Sequence, residues 1–430
     1  MAIGSFKLPI SSGDTEWVRP SDWLAMPTGI TSANDTFVGL HAVFPEGQNY
    51  VAFLFTTSAG QYQVDWGDGT IDLVDSNVQA QHEYDYATIS NSTLTSRGYK
   101  QAMITVTPVS GLLRTCTFQR RFTTSPIQNQ TYATGFLDCI LSMPNANTGQ
   151  SIIFGSTTVA HRYVERFDIK TIGASTNTNS LFQNCSSLES VPLFNTANVT
   201  LMNNMFNGCL ALQSVPLFNT TNVTQTENML ASCASLRSVP LFDTQNVTTM
   251  AGMFIGCFTL QSVPLFNTIK VTQMPNLFLN CSSLKTVPLF DTQNVTNMST
   301  MFTACISLKL VPLFNTIKVN NIGLMFSNCS SIQHIPAFNT PAITPTAGQD
   351  FGGIGQNCTS LDRCEMIFSR NVTITNAQLS RTALVEVFNN LVSRTSTTSA
   401  TINITGNWGA SALTAGERAI ATDKNWVITG

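Results

Sequence analysis

Asp291–Leu308, DTQNVTNMSTMFTACISL, returns in altered copies along the chain at a step of 24 residues. Cys185, Cys209, Cys233, Cys257, Cys281, Cys305 and Cys329 keep that step without a slip, and so do the prolines from Pro192 to Pro336. A fixed period of this size marks a solenoid, a propeller or an array of stacked units. Aligned on the cysteine, each unit reads roughly M-F-x-x-C-x-x-L-x-x-V-P-L-F-[ND]-T-x-x-V-T.

Within a unit, Leu188-x-x-Val191-x-Leu193 has the spacing of a short strand with three inward apolar side chains. Its copies are expected to stack as a parallel β-ladder about 4.8 Å per coil, giving a rod roughly 35–40 Å long. Met205-Phe206, Met253-Phe254, Met301-Phe302 and Met325-Phe326 precede the cysteine at a spacing that predicts a short helical or 3₁₀ return segment facing inward. Asn195-Thr196, Asp243-Thr244 and Asp291-Thr292 read as a corner, because these side chains bond nearby backbone. Residues 243–290 and 291–338 resemble each other more than single units do, as a two-unit duplication would leave them.

The stretch Asp291–Leu308 resembles the BspA-like leucine-rich repeat of bacterial surface proteins, which in this V-P-L-F form also occurs in bacteriophage proteins. The resemblance covers about 181–365. Upstream, YQVDWGDGT at Tyr62–Thr70, HEYDY at His82–Tyr86 and YKQAMITVTP at Tyr99–Pro108 resemble a PKD-type immunoglobulin-like sandwich. Val64 and Trp66 alternate with polar neighbours as in a half-buried strand, and Asp68-Gly69 supplies the hairpin turn.

The expected class is therefore mainly β with short helices: an immunoglobulin-like β-sandwich, a leucine-rich-repeat solenoid and a C-terminal α/β cap. The boundaries read as an N-terminal arm at 1–45, the sandwich at 46–150, an N-terminal cap of the solenoid at 151–180, the repeats at 181–365 and a capping repeat at 366–430. The arm carries Trp17, Trp23, Pro20, Pro27 and Pro45 without periodicity, and is expected to pack on the sandwich or on a neighbouring subunit. In the last segment Thr414 and Glu417 can start a helix as a capping box, and the final ladder edge needs such a cover.

Composition narrows the partners. Of 430 residues only 10% are charged, and 21 basic against 24 acidic side chains leave a net charge of −3. Without charge blocks there is no electrostatic footprint for nucleic acid or anionic lipid. Every apolar run is too short to span a bilayer, so no membrane insertion is expected. The first residues show neither a signal peptide nor a lipobox cysteine, so classical export is not expected.

Candidate chemistry is sparse. Eleven cysteines cannot pair completely, and ligands 24 residues apart lack any C-x₂-C spacing, so buried free thiols are expected. His41, His82, His161 and His334 are dispersed and nominate no catalytic set. Asp65, Asp68, Asp72 and Asp75 could surround Ca²⁺, against which stands their reading as turn carboxylates without EF-type spacing. Asn-x-Ser/Thr at Asn198, Asn222, Asn246 and Asn294 reads as corner chemistry rather than glycosylation. No cofactor, metal or catalytic residue is assigned.

One column stands out for binding. Four residues after each cysteine come Glu189, Gln213, Arg237, Gln261, Lys285, Lys309 and Gln333, outside the inward set and expected to face solvent as a contact strip. The resemblance implies a non-enzymatic virion structural or attachment protein of a bacteriophage (tail fibre, baseplate or capsid-associated), assembled in the host cytoplasm. Its partners would be other virion proteins, further copies of itself, or a host cell-surface receptor. A bacterial cell-surface adhesin is the alternative, and a glycan-acting enzyme ranks last because paired carboxylates are wanting.

Overall fold

The computed structural model describes residues 17–47, 49–122, 132–155, 159–341, 351–395 and 397–430. Residues 1–16 of the expected arm lie outside the described residues. The chain is mainly β, with N-terminal sheets, a coil array and two short α-helices.

Seven strands form the first part: β1 (Thr36–Val43), β2 (Tyr50–Thr57), β3 (Gln61–Asp65), β4 (Ile71–Asp75), β5 (Gln79–Glu83), β6 (Lys100–Pro108) and β7 (Leu113–Thr117). They are followed by β8 (Tyr132–Ala133), β9 (Phe136–Ser142), β10 (Ile152–Ile153), β11 (Val159–Ala160) and β12 (Arg166–Thr171). One sheet runs β12-β9-β1-β6-β3-β4 and the other β10-β7-β2-β5, with β8 and β11 as a small separate pair. The two larger sheets face each other across a core of aromatic rings, in which Phe37 of β1 lies 6.2 Å from Phe55 of β2 and 4.8 Å from Phe118.

The hairpin between β3 and β4 shows how the Asp-Gly segment works. Asp65 accepts from the N–H of Gly67 and Asp68 from that of Thr70, at 2.9 and 3.0 Å, while the buried Trp66 ring donates to Asp72. Gly67 has φ +78°, and a Cβ there would sit 2.5 Å from the backbone of Met103, so only glycine fits. The turn carboxylates are thus spent on backbone geometry.

One expectation about the first 45 residues changes, and the described remainder takes one of the two packings expected of it. Strand β1 falls inside the span read as an arm, yet it lies in the interior of the six-stranded sheet, between β6 and β9. The described remainder packs on the outer face of that sheet. Trp23 is buried with Leu40, Tyr99 and Leu137, donates its indole N–H to the Tyr99 hydroxyl at 2.9 Å, and has Trp17 beside it. Arg19 closes the contact with an ion pair to buried Asp138 at 2.9 Å. Without alternation, a buried central strand such as TFVGLHAV carries no period to separate it from an arm.

The solenoid continues the sandwich. β12 pairs in parallel with β9 and is bridged onward to Ser190. Phe154, Phe167, Phe182 and Phe206 follow one another at 4.6, 5.2 and 5.5 Å, carrying one apolar core from the sheets into the coils.

Inside the array the inward columns are as periodic as the sequence. Phe254, Phe278, Phe302 and Phe326 stack nearly parallel at 5.5–5.7 Å, and Phe266, Phe290, Phe314 and Phe338 form a second column at 6.3–6.5 Å. The backbone route differs from the expected one. No continuous ladder forms through L-x-x-V-P-L-F: its coil-to-coil contacts are single backbone bonds at the residue after the first leucine, a bridge at Ser190 and the two-residue pairing of His334–Ile335 with Arg363–Cys364. From the second coil onward the Phe N–H bonds back to the Pro carbonyl two residues earlier, as Phe266 does to Pro264 at 3.0 Å, which is an inverse γ-turn centred on Leu. Proline has no N–H for a ladder and the turn takes the Phe donor two residues on, so no strand forms there. Leu265 consequently points outward, 60% exposed, and Phe266 takes the inward place; Leu193 and Phe194 are disposed alike.

Pairing between coils runs instead through the Met-Phe segment and the Thr corner. The N–H of Phe206 reaches the carbonyl of Met229, and that of Gly208 the carbonyl of Ala231, at 2.9 and 2.8 Å. Single parallel bridges link Asn177, Leu201, Gln225, Thr249, Gln273, Asn297 and Asn321. The return segment is inward-facing but neither α nor 3₁₀: left-handed residues such as Asn204 (φ 56°), Asn228 (φ 51°) and Asn276 (φ 57°) interrupt it, which asparagine tolerates well. The corner is as expected. Asn195, Asp243 and Asp291 each accept from the N–H two residues on, and Thr196, Thr244 and Thr292 donate to a carbonyl of the following coil.

Between Cys329 and Cys358 the step lengthens to 29 residues, and part of that insertion, 342–350, lies outside the described residues. The end of the chain comprises β13 (His334–Ile335), β14 (Arg363–Cys364), β15 (Val372–Thr373), β16 (Ala400–Asn403) and β17 (Trp426–Thr429), with α1 (Arg381–Asn389) and α2 (Ala415–Thr422). β15, β16 and β17 form a parallel sheet, and the Thr414/Glu417 capping box starts α2. No helix among the described residues is long and apolar enough to cross a membrane.

Candidate functional site

The outer edge of the coils is built by the same local rules as the core. Leu188, Val191 and Phe194 of a coil point inward and are buried, which leaves Glu189 and Leu193 on the outside. Repetition turns each outward position into a file. In the predicted column, Arg237, Gln261, Lys285, Lys309 and Gln333 are exposed, whereas Glu189 and Gln213 are half-buried near the junction with the sandwich. Backbone bonds tie members of the column across one coil step, Arg237 to Gln213 and Lys285 to Gln261, at 3.0 and 2.9 Å.

Its charges have neighbours of their own. The Lys285 ammonium donates to the Gln261 side chain at 2.9 Å. Burial, reinforced by the Glu165 carboxylate, pushes the Glu189 carboxyl up from its ordinary range. Glu165 itself is held by Arg97 at 2.6 Å. On the adjoining corner, Lys270 and Lys318 donate to Asn246 and Asn294 one coil back. Asn222, Asn246 and Asn294 donate their amides to carbonyls of the preceding coil, which is corner chemistry.

The leucine file beside the column is the feature that pattern reading missed. Leu193, Leu217, Leu241, Leu265, Leu289 and Leu313 are each 58–61% exposed, one per coil. The signal was the proline immediately before each leucine, which forbids the strand that would have turned it inward.

Other predicted residues do not converge. Asp65 and Asp72 are engaged as described, Asp68 also meets His82 at 2.7 Å, and Asp75 accepts from Gln61. Among the described residues no group of three ligating side chains is arranged to hold a metal ion. All eleven cysteines are free and buried. From Cys209 on, each thiol of the column donates to a carbonyl of the preceding coil, as Cys281 does to Phe254 at 3.0 Å, and burial pushes the Cys281 thiol up to about 12. Alkylation in denaturant without reductant should therefore label all eleven thiols, while the folded protein stays largely unlabelled; mixed disulfides in the denatured sample would contradict this.

Two histidines are structural. His41 accepts the Gly135 N–H on Nε2, and His161 bonds Thr134 through Nδ1 while stacking on Phe154 at 4.0 Å. Burial first, with neighbouring histidines adding for His41, lowers both to about 3. Their folded values lie below the unfolded one near 6.5, so the unfolded chain takes up protons first. The stability they confer is complete above about pH 6.5 and is lost as pH falls towards 3. At pH 4 the loss is roughly 3 kcal/mol per histidine. The urea midpoint should drop between pH 7 and pH 4, and less so in His161→Phe; an unchanged midpoint refutes the assignment.

No curated protein matches the chain. Residues 150–264 and 255–355 match the profile of a family described as "Mycoplasma protein of unknown function, DUF285"; that stretch is similar to the family, and with its stacked coils the chain is a repeat-containing β-solenoid protein.

Proposed function

We propose that the chain is a non-enzymatic structural or attachment protein of a bacteriophage virion, working by protein contact along the outer edge of its coils. The observation that carries this reading is the edge itself: a polar row from Glu189 to Gln333 beside an exposed leucine file, continuous over the array. Repeat arrays bind through extended surfaces of this kind. The coil carboxylates Asp243 and Asp291 are taken up in corner turns, which speaks for contact over acid–base chemistry. The PKD-like hairpin and the V-P-L-F form of the repeat support the phage context.

A cell-surface adhesin is the second reading, favoured by the family description, which names a Mycoplasma protein. Fractionation separates the two: the chain in purified phage particles supports the first, the chain in the cell envelope the second, and a wholly dissolved chain overturns both. Replacing Arg237, Lys285 and Lys309 with serine should weaken binding to the particle or cell by about tenfold or more with an unchanged melting temperature. Unchanged binding would remove the coil edge from the contact.

A further inference from the structure

We propose that the partner of this edge is a second copy of the chain, laid parallel so that the two leucine files form one seam. This rests on the reading that the coil edge is the contact surface, and it names the occupant.

Six leucines about three-fifths exposed present on the order of 400 Å² of apolar surface in one strip. That is already the size of the functional patches of soluble proteins. With the flanking rows included, the strip approaches the roughly 800 Å² per partner that a stable complex buries. The file also has a pitch, one leucine per coil, and a surface repeating at that pitch is matched along its whole length by another copy. At its C-terminal end Leu313, Ile317, Ala337 and Asn339 line a depression of about 340 Å³, open to a knob from outside.

Charge selects the direction. A two-fold axis along the seam sets each leucine opposite its own counterpart and brings the polar row of one copy onto the corner row of the other. Arg237 then faces Asp243 and Lys285 faces Asp291, while the remaining members of the polar row face asparagines. No like charges meet in these rows, and two kinds of opposite pair form. An antiparallel arrangement brings each row onto its own reversed copy, leaves Asp243 and Asp291 opposite asparagines, and keeps only Glu189 opposite Lys309. Opposite charges that meet in one register only fix that register.

Sedimentation of the full chain at about 100 µM should give twice the chain mass, and Leu241→Asn/Leu265→Asn should weaken association at least tenfold. Both leucines are about 60% exposed, so the variant should keep the melting temperature of the parent. Register is read by cross-linking. Leu193→Cys and Leu313→Cys should each form a disulfide-linked dimer as single variants, the native cysteines being buried. A monomeric parent chain, a dimer unaffected by the asparagines, or a dimer that cross-links only when both cysteines are present would each overturn the proposal. If the chain is monomeric yet its particle or cell binding depends on Arg237, Lys285 and Lys309, the seam fails and the contact reading stands. If binding ignores that triple variant, the contact reading fails on its own.

Discussion

Phe278→Ala should lower the unfolding free energy of the coil array by about 3–5 kcal/mol, more than any substitution on its surface. The ring is fully buried and stacks at 5.5 Å on Phe254 and 5.7 Å on Phe302, with Phe290 of the second column at 6.4 Å. Removing it leaves a cavity in a column whose neighbours are held by backbone bonds to both adjacent coils, so the site cannot collapse. The protein supplies its own control. Leu230 occupies the equivalent place in an earlier coil, so Phe278→Leu should cost much less than the alanine, and Leu265→Ala at the exposed edge under about 0.5 kcal/mol. Chemical denaturation followed by tryptophan-independent circular dichroism reads all three. Equal midpoints for alanine and leucine at position 278 would show that the aromatic columns do not carry the array.

Truncation after residue 365 should make the chain aggregate. The coil ending near Cys358 passes its backbone bonds to the cap: Phe351 donates to Asn371 and Asn357 to Thr375, at 3.1 and 2.8 Å. Without the cap these N–H groups stand at an open edge, and Phe351 loses the ring of Phe368 that packs edge-on against it at 5.1 Å. Static light scattering of the truncated chain should show large species at concentrations where the full chain is uniform. A truncate as soluble and as small as its mass implies would deny the last 65 residues a capping role.

Legibility followed the range of the cause. The corner at Asp291-Thr292 and the Thr414/Glu417 capping box were readable, because each bond is made within a few residues. The buried thiols of the repeats were readable because cysteines 24 residues apart, without C-x₂-C spacing, have no metal chemistry to serve and remain as small hydrophobes. Helix α1 carried no comparable signal. Its nine residues show only a weak apolar face, and the Ser380 cap has no acidic partner in the first turn. The candidate site was half readable: the Glu189 to Gln333 column followed from polarity, and the leucine file did not, because Leu193 looks like the third inward residue of a strand.

By itself the sequence determined that the chain is a coil array with a sandwich before it and a cap behind it, that the Met-Phe pair faces inward, and that the cysteines are free. These follow from periodicity, which one chain displays completely. Only the tertiary structure decided that β1 completes the sandwich, that one core runs unbroken into the coils, and that backbone pairing passes through the Met-Phe turn instead of the V-P-L-F segment. The reason is physical. A ladder bond joins groups 23 or 24 residues apart, and whether a given N–H spends itself locally or on the next coil depends on both coils being in place. Proline removes one donor and the γ-turn consumes that of the phenylalanine, so the outward leucine is a result of packing that no single repeat displays.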